Sequence, residues 1–225
     1  MGNLQKELER KKEELNAVFS TPVKAAIGQS IGDLQAIRLG AGALRVGDLA
    51  PEFSLRNVAG KEVSLRDALR NGPVVVTFYR GGWCPYCNVQ LNDLQRHLGQ
   101  IREFNGEVLA ISPEVPAQGV ATASAHGLSF EVLTDEDNRV ARLFGLVSSL
   151  PGYLREVYGN LGIDLVRHNG NEHFELPLPA TYVVDPQGRI AYAFVEEDFT
   201  QRAETEDLVA ALQRITNAPV AVGSK

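Results

Sequence analysis

The chain contains two cysteines, Cys84 and Cys87, and only two residues separate them. A disulfide between them would close a very small loop, so it would remove little entropy from the unfolded chain and stabilise a protein of 225 residues weakly. Two neighbouring thiols that contribute little stability but can bond and separate easily are typical of redox chemistry. The spacing therefore predicts a redox-active dithiol.

Other interpretations of a C-x-x-C pair remain open at this level. A c-type haem site would need a histidine directly after the second cysteine, and Asn88 occupies that position. A zinc site would need two more ligands, and His168 and His173 lie far beyond the spacing of a zinc finger. An inert structural pair is the third alternative. We favour the reactive dithiol and expect no metal and no cofactor.

The elements around the pair place the two sulfurs differently. Residues Pro73 to Tyr79 form a continuous apolar, β-branched run, which predicts a strand buried on both faces. Residues Pro85 to Phe104 carry leucine and isoleucine at spacings of three and four, which predicts a helix with Gly106 as its C-terminal cap. Cys84 would lie at the start of this helix, where free amide groups and the helix dipole should lower the pKa of its thiol. We expect Cys84 to be the attacking thiol and Cys87, one turn further on, to be the more enclosed resolving thiol.

The rest of the chain from residue 46 alternates strands and helices. This alternation predicts an α/β fold with a central mixed sheet covered by helices on both faces. A lid or partly helical insertion is expected between residues 145 and 178, which are too many for a plain connection. The other predicted elements are strands at 107–112, 130–133, 180–185 and 189–195, and helices at 117–125, 136–144 and 201–215.

Residues 1–45 are predicted to form a helical N-terminal extension, and residues 46–225 the main domain. Leu4, Leu8 and Val18 belong to one apolar stripe of a helix over residues 3–19, and a second helical stretch follows to about residue 39. The apolar face could pack on the main domain or on a second subunit, so a homodimer is possible.

Charge and hydropathy exclude several classes of partner. The net charge is −6, and residues 196–207 hold six acids against one base, Arg202, a run that we interpret as a solvated loop and helix start. Without a basic stripe we expect no nucleic-acid partner. The N-terminus has no apolar signal region and no run of 18 apolar residues occurs, so we expect no membrane span and a cytoplasmic location.

Three segments carry a family resemblance. They are VGDLAPEF at residues 46–53, FYRGGWCPYC at 78–87 and PATYVVDPQG at 179–188. In this order they resemble the peroxiredoxin (AhpC/TSA) family of the thioredoxin superfamily, in its branch with a CxxC active site. The resemblance covers about residues 46–215 and implies a thioredoxin-like fold.

The resemblance implies a role for each cysteine. Cys84 matches the peroxidatic cysteine, whose thiolate attacks a hydroperoxide and becomes a sulfenic acid. Cys87 would then form an intramolecular disulfide with Cys84, and a donor of the thioredoxin or glutaredoxin/glutathione type would reduce it. Pro179 matches the cis-proline that faces the CxxC motif in thioredoxin-like proteins. The implied substrate pocket comprises Arg80, Gly81, Gly82, Trp83 and Pro179.

This sequence departs from the family pattern at two places. The family motif Pro-x-x-x-Thr-x-x-Cys has Thr77 and Gly81 here in place of proline and threonine, and the second arginine of the family, expected near Pro179, is absent. Arg80 could supply a guanidinium to the thiolate and to substrate oxygens, or it could pair with a surface acid. Trp83 could shape the partner surface or only pack.

Two other functions are kept as alternatives. The first is a thioredoxin-like or glutaredoxin-like thiol–disulfide oxidoreductase without peroxidase activity, which the Pro85-Tyr86 dipeptide and the missing threonine favour. The second is a non-catalytic binding module that acts through its N-terminal helix. The position of Cys84 at a strand-to-helix junction argues against the second alternative.

Overall fold

The computed structural model describes residues 2–217. Its helices are α1 (Asn3–Val18), α2 (Thr21–Ala36), α3 (Leu65–Leu69), α4 (Pro85–Glu103), α5 (Pro116–Ala125), α6 (Arg139–Leu143), α7 (Gly152–Asn160), α8 (Leu165–Asn169) and α9 (Thr205–Asn217). Its strands are β1 (Ser54–Asn57), β2 (Glu62–Ser64), β3 (Val74–Phe78), β4 (Glu107–Ser112), β5 (Glu131–Thr134), β6 (Val147–Ser149), β7 (Glu175–Pro177), β8 (Ala180–Val184) and β9 (Ile190–Val195).

A seven-stranded mixed sheet forms the centre of the protein, with strand order β2-β1-β5-β4-β3-β8-β9. Strands β3, β4 and β5 are parallel to one another, while β8 pairs antiparallel with both β3 and β9. Every residue of β3 is buried, as its unbroken apolar run predicts. The predicted α/β fold with a mixed sheet is therefore confirmed, and so is the hairpin that joins the last two strands.

The two faces of the sheet carry separate hydrophobic cores. One core contains the packed rings of Phe78, Phe144 and Tyr182. The other contains Cys84 and Cys87 together with the leucines of α4 and α9. Both sulfurs thus lie inside the core between the sheet and these two helices.

Helix α4 begins and ends close to its predicted bounds, but its C-terminus differs in detail. Asn105, rather than Gly106, takes the left-handed conformation, with φ at 55°. Gly106 is required for another reason, since a Cβ there would lie 2.8 Å from the carbonyl oxygen of Ile101. The prediction of Gly106 as a left-handed cap is therefore wrong.

The predicted helix at residues 136–144 is interrupted. Asp137 and Asn138 have φ values of 57° and 54°, so a 3₁₀ turn (Glu136–Asn138) precedes the short helix α6. The final helix likewise begins at Thr205 instead of residue 201. The four residues before it take an irregular path that brings one of their side chains to the cysteines.

Residues 145–178 form the partly helical insertion that the sequence predicts. Strands β6 and β7 pair as an antiparallel two-stranded sheet, and α7 and α8 lie between them in the chain. Leu150, Leu154, Tyr158, Leu165 and Leu176 form a hydrophobic cluster of its own. This insertion therefore has its own core and stands beside the end of β3.

Both N-terminal helices contact the rest of their own chain. Leu4 and Leu8 of α1 are buried, and the Glu204 carboxylate accepts the backbone N–H of Leu4 at 3.2 Å. Helix α2 packs against α7, where the Tyr153 hydroxyl donates to Asp33 at 2.6 Å. The apolar stripe does not extend to Val18, which is 77% exposed. The division at residue 46 and the homodimer stay predictions.

Within residues 2–217, none of the helices has both the length and the apolar character needed to cross a bilayer.

Candidate active site

Cys84 and Cys87 are free thiols at the junction of β3 and α4. Cys84 is the N-cap residue of α4, and Cys87 lies in its first turn. Cys84 is 2% exposed and Cys87 is fully buried. The predicted difference in enclosure is present but small.

Two buried arginines surround the thiols. Arg80 stacks its guanidinium 4.4 Å from the ring centroid of Phe199 and also faces the rings of Trp83 and Tyr158, whose hydroxyl accepts a hydrogen bond from it. Arg202 donates from Nη2 to Sγ of Cys87 at 3.3 Å. In the described part of the chain neither guanidinium forms an ion pair with a carboxylate. The alternative that Arg80 pairs with a surface acid is therefore wrong.

Arg202 is the site residue that sequence reasoning missed. Its place in an acidic run suggests solvent exposure, yet the side chain is only 4% exposed. The backbone between β9 and α9 turns so that Nη1 donates to the carbonyl oxygens of Phe199 at 2.5 Å and Gln201 at 2.7 Å. The buried apolar neighbours Phe199 and Ala203 are the only hint in the sequence. A second guanidinium thus reaches the dithiol from a different segment than the family pattern implies.

The pKa values of the two thiols are shifted in opposite directions. Burial alone would raise the pKa of Cys87, but the hydrogen bond from Cys84 and the charges of Arg202 and Arg80 lower that pKa to about 5. The hydrogen bond to Cys87 and burial raise the pKa of Cys84 well above its ordinary value. Cys87 is therefore the more acidic of the two thiols in this arrangement.

This distribution corrects the prediction that the helix N-terminus lowers the pKa of Cys84. The Cys84 side chain accepts no capping hydrogen bond from α4, so the helix amides do not stabilise a thiolate there. The guanidinium of Arg202 contacts the other sulfur. The position of the cation, rather than the helix dipole, decides which thiol loses its proton first.

Two glycines shape the loop before Cys84. Gly81 has a φ of 142°, and a Cβ there would lie 2.4 Å from Nε1 of Trp83 and 2.8 Å from Oε1 of Glu114. A Cβ on Gly82 would lie 2.0 Å from the hydroxyl oxygen of Thr122. The threonine of the family motif therefore has no room at residue 81 in this backbone.

Glu114 holds this loop in place and was also missed. It follows β4, is almost fully buried, and accepts the backbone N–H of Gly82 at 2.9 Å with Oε2. Its Oε1 lies 2.9 Å from Nδ1 of His168 in α8. His168, weighed only as a zinc ligand in the sequence, thus pairs with Glu114. Among residues 2–217, no group of three or more His, Cys, Asp and Glu side chains could hold a metal ion.

The remaining predicted pocket residues lie around Arg80. The ring centroid of Trp83 lies 5.4 Å from that of Tyr158, and its buried indole N–H has no hydrogen-bond partner within residues 2–217. Pro179 is buried between β7 and β8, but no cis peptide bond occurs within residues 2–217, so the predicted cis conformation is wrong. The chain runs extended from one strand into the next, and the Leu178 N–H bonds to the carbonyl oxygen of Leu146 at 2.7 Å. A trans bond keeps that direction.

Comparison with known proteins gives consistent results. Residues 46–193 match the AhpC/TSA family. A Mycobacterium tuberculosis protein whose name assigns it to the peroxiredoxins is 31% identical over 150 residues, which cover 67% of this chain and 84% of that protein. Peroxiredoxin Bcp of Escherichia coli is 35% identical over 103 residues, covering 46% of this chain and 65% of Bcp.

A comparison with solved structures also finds a similar fold. The crystal structure of peroxidoxin BcpB from Mycobacterium tuberculosis superposes with a TM-score of 0.61 at 20% identity, covering 76% of this chain and 98% of that one. Helix α2 and the segment that carries Arg202 both lie outside the residues that match the family.

Proposed function

Since the chain belongs to the AhpC/TSA family and its relatives are peroxiredoxins, we propose that it is a thiol-dependent peroxidase that reduces hydroperoxides through Cys84 and Cys87. The observation that carries this proposal is the pair of free, buried thiols beside two buried guanidinium groups, neither of which pairs with a carboxylate within residues 2–217. Such a site stabilises a thiolate before the reaction and the negative charge that develops on oxygen during it.

In the first step Cys84 attacks the peroxide. The S–H···S⁻ hydrogen bond lets Cys84 pass its proton to Cys87, so the thiolate forms on the sulfur at the helix start. This thiolate bonds to the terminal oxygen of R–O–O–H and the O–O bond breaks, which leaves Cys84 as a sulfenic acid and expels RO⁻. The proton on Cys87 is then available to the leaving RO⁻. Arg80 faces the growing negative charge.

In the second step Cys87, again a thiolate, attacks the sulfur of the sulfenic acid. The S–S bond forms and hydroxide leaves, so one thiol, one thiolate and ROOH give one disulfide, ROH and OH⁻. Two electrons from a donor of the thioredoxin or glutaredoxin/glutathione type then restore the dithiol. Because this cycle needs a reducing compartment, we propose a cytoplasmic location.

The test uses Trp83, the single tryptophan, as a reporter. Reduced protein is mixed with hydrogen peroxide or cumene hydroperoxide in a stopped-flow instrument, and its fluorescence is followed. Oxidation much faster than that of a free thiol, absent in Cys84→Ser, supports the proposal. Oxidation at the rate of a free thiol, together with rapid reduction of insulin disulfides, would favour the thiol–disulfide oxidoreductase instead.

A further inference from the structure

The segment that brings Arg202 to the dithiol is bonded on both sides to the N-terminal extension. We call residues 198–203, which lie between β9 and α9, the Arg202 segment. Glu197 stands directly before this segment and Glu204 directly after it. Both carboxylates accept backbone N–H groups of residues 1–45, so the interpretation of this acidic run as solvated is wrong for these two residues.

Glu204 caps helix α1 although it lies almost at the other end of the sequence. Its Oε2 accepts the N–H of Leu4 at 3.2 Å, and its Oε1 accepts the N–H of Gln5 at 3.1 Å. The first turn of α1 contains no acidic residue, so Glu204 supplies the anion that the free amides and the helix dipole favour. A Cβ at Gly2 would lie 2.1 Å from Cδ of Glu204, so the carboxylate occupies space that the glycine leaves open.

Glu197 makes the second connection, to the other end of the extension. Its Oε1 accepts the N–H of Gly40 at 3.0 Å, in the 3₁₀ turn (Leu39–Gly42) that follows α2. Helices α1 and α2 lie between the two bonded sites of the extension. The Arg202 segment is therefore held from both of its ends by the two ends of one N-terminal unit.

A network through α4 fixes the start of α9 as well. The Thr205 hydroxyl donates to Oδ2 of Asp93 at 2.5 Å. Nη2 of Arg96 donates to Oδ1 of Asp93 and to Oε1 of Glu7 in α1, both at 2.8 Å. Thr205 and Asp93 are almost completely buried. The position of the residue that follows Glu204 thus also depends on a contact with α1.

The guanidinium of Arg202 moves with the backbone of its segment. Its Nη1 donates to the carbonyl oxygens of Phe199 and Gln201, which belong to the segment itself. Its Nη2 reaches Sγ of Cys87, at 3.3 Å, from outside α4. Because the attraction between two charges weakens with distance, a displacement of the segment would weaken the support that the cation gives to a thiolate.

From these contacts, and resting on the proposed use of the dithiol, we infer that Glu197 and Glu204 are positioning residues through which the N-terminal extension holds Arg202 against the Cys87 thiolate. The extension thereby controls how readily Cys87 ionises and, in the second step of the cycle, attacks the sulfenic acid. The titratable and charged groups that face Cys87 are Cys84, Arg80, Arg202, Tyr79 and Tyr158.

The sign of one measurable change distinguishes this role from a direct effect of charge. A carboxylate near a thiol disfavours the thiolate, so its removal would by itself lower the pKa of Cys87. A carboxylate that holds the Arg202 segment has the opposite effect, because its removal lets the guanidinium move away and raises that pKa. The two mechanisms therefore predict opposite shifts for the same substitution.

The experiment titrates the thiolate of the reduced full chain by its ultraviolet absorbance. We expect Glu197→Ala and Glu204→Ala each to raise the pKa of the first thiol to ionise by about 1, a tenfold change in its ionisation constant. The matched controls Glu196→Ala and Glu206→Ala remove the same charge from exposed positions of the same run and should not raise it.

Two further variants test the route of the effect. Gly2→Ala changes no charge but pushes the Glu204 carboxylate from its position, so it should raise the pKa in the same way, and it should fold even where a carboxylate variant does not. In an Arg202→Met background, Glu204→Ala should change the titration no further, because no guanidinium is left to position.

The outcomes test the inference separately from the proposed function. A wild-type titration curve in folded Gly2→Ala and Glu204→Ala, or a lowered pKa, would overturn the inference. A rise of equal size in the Arg202→Met background would overturn it too, since the effect would not pass through Arg202. The titration involves no peroxide, so a wild-type protein that reduces no hydroperoxide would remove the proposed function and leave the positioning of Arg202 intact.

Discussion

Replacing Arg202 with methionine should raise the pKa of Cys87. The guanidinium donates to Sγ of Cys87 at 3.3 Å, and both groups are buried. Two unit charges at about 4 Å interact by roughly 4 kcal/mol at an effective dielectric constant of 20. Such a neighbour lowers the pKa of an acid by about 1 to 3.

The starting point makes this change measurable. The pKa of Cys87 is lowered to about 5, with Arg80 contributing as well as Arg202. Loss of Arg202 alone should bring it to about 7, since Arg80 remains. At pH 6 the thiolate fraction should then fall from about 90% to about 10%, and at pH 8 it should hardly change.

The assay titrates the thiolate by its ultraviolet absorbance in reduced protein at both pH values. Arg214→Met, which removes an exposed arginine of α9, is the control for a change in net charge. Arg202→Lys retains a cation and should recover part of the effect. A folded Arg202→Met protein with the wild-type titration curve would refute the assignment of Arg202 to the thiolate.

Three further predictions follow from the same site. Glu114→Gln should lower the free energy of unfolding by about 1–3 kcal/mol, because one buried hydrogen bond to Gly82 or His168 is lost. Thermal unfolding should therefore show a lower Tm for Glu114→Gln and an unchanged Tm for the half-buried control Glu107→Gln. Gly81→Thr introduces the threonine of the family motif at a residue whose φ is 142°. It should lower the free energy of unfolding by about 1–3 kcal/mol and also lower peroxidase activity, because this φ strains the backbone of threonine. Higher activity would contradict this prediction. The free energy of unfolding of the reduced protein, relative to the Cys84→Ser/Cys87→Ser double variant, should rise from pH 6 to pH 8. Folding lowers the pKa of Cys87 from its ordinary value of 9.0 to about 5, so the ionised thiol stabilises the folded protein fully above the ordinary value and less as the pH falls toward about 5. Urea titrations in which the free energy of unfolding falls from pH 6 to pH 8 would disprove this prediction.

The sequence was sufficient for five of the seven strands of the central sheet, because its signals there are local. The β-branched run at residues 73–79 predicts a buried strand, and the leucine spacing after Pro85 predicts a helix, and the structure has both. Strands β1 and β2 were not predicted, since three or four residues are too few for a periodic pattern. The broken helix at Asp137 depends on left-handed residues, which hydrophobic spacing does not reveal.

The site was predicted only as far as the motif extends along the chain. Cys84, Cys87 and Arg80 are adjacent in sequence and were found together. Arg202 and Glu114 reach the same site from segments far away, and their charge suggested solvent exposure. The charge on a sulfur depends on these distant groups, which is why the pKa of Cys84 was predicted in the wrong direction. Periodicity reports burial of apolar residues, and it carries no information on buried ions.

The most direct measurement of the central claim is the site of sulfenic acid formation. Cys87→Ser and Cys84→Ser proteins are reduced, treated with an equimolar hydroperoxide in the presence of a sulfenic-acid trap, and analysed by peptide mass spectrometry. We expect one trapped adduct per chain on Cys84 of Cys87→Ser and little on Cys87 of Cys84→Ser. An adduct that forms only on Cys87, or on neither cysteine, would contradict it.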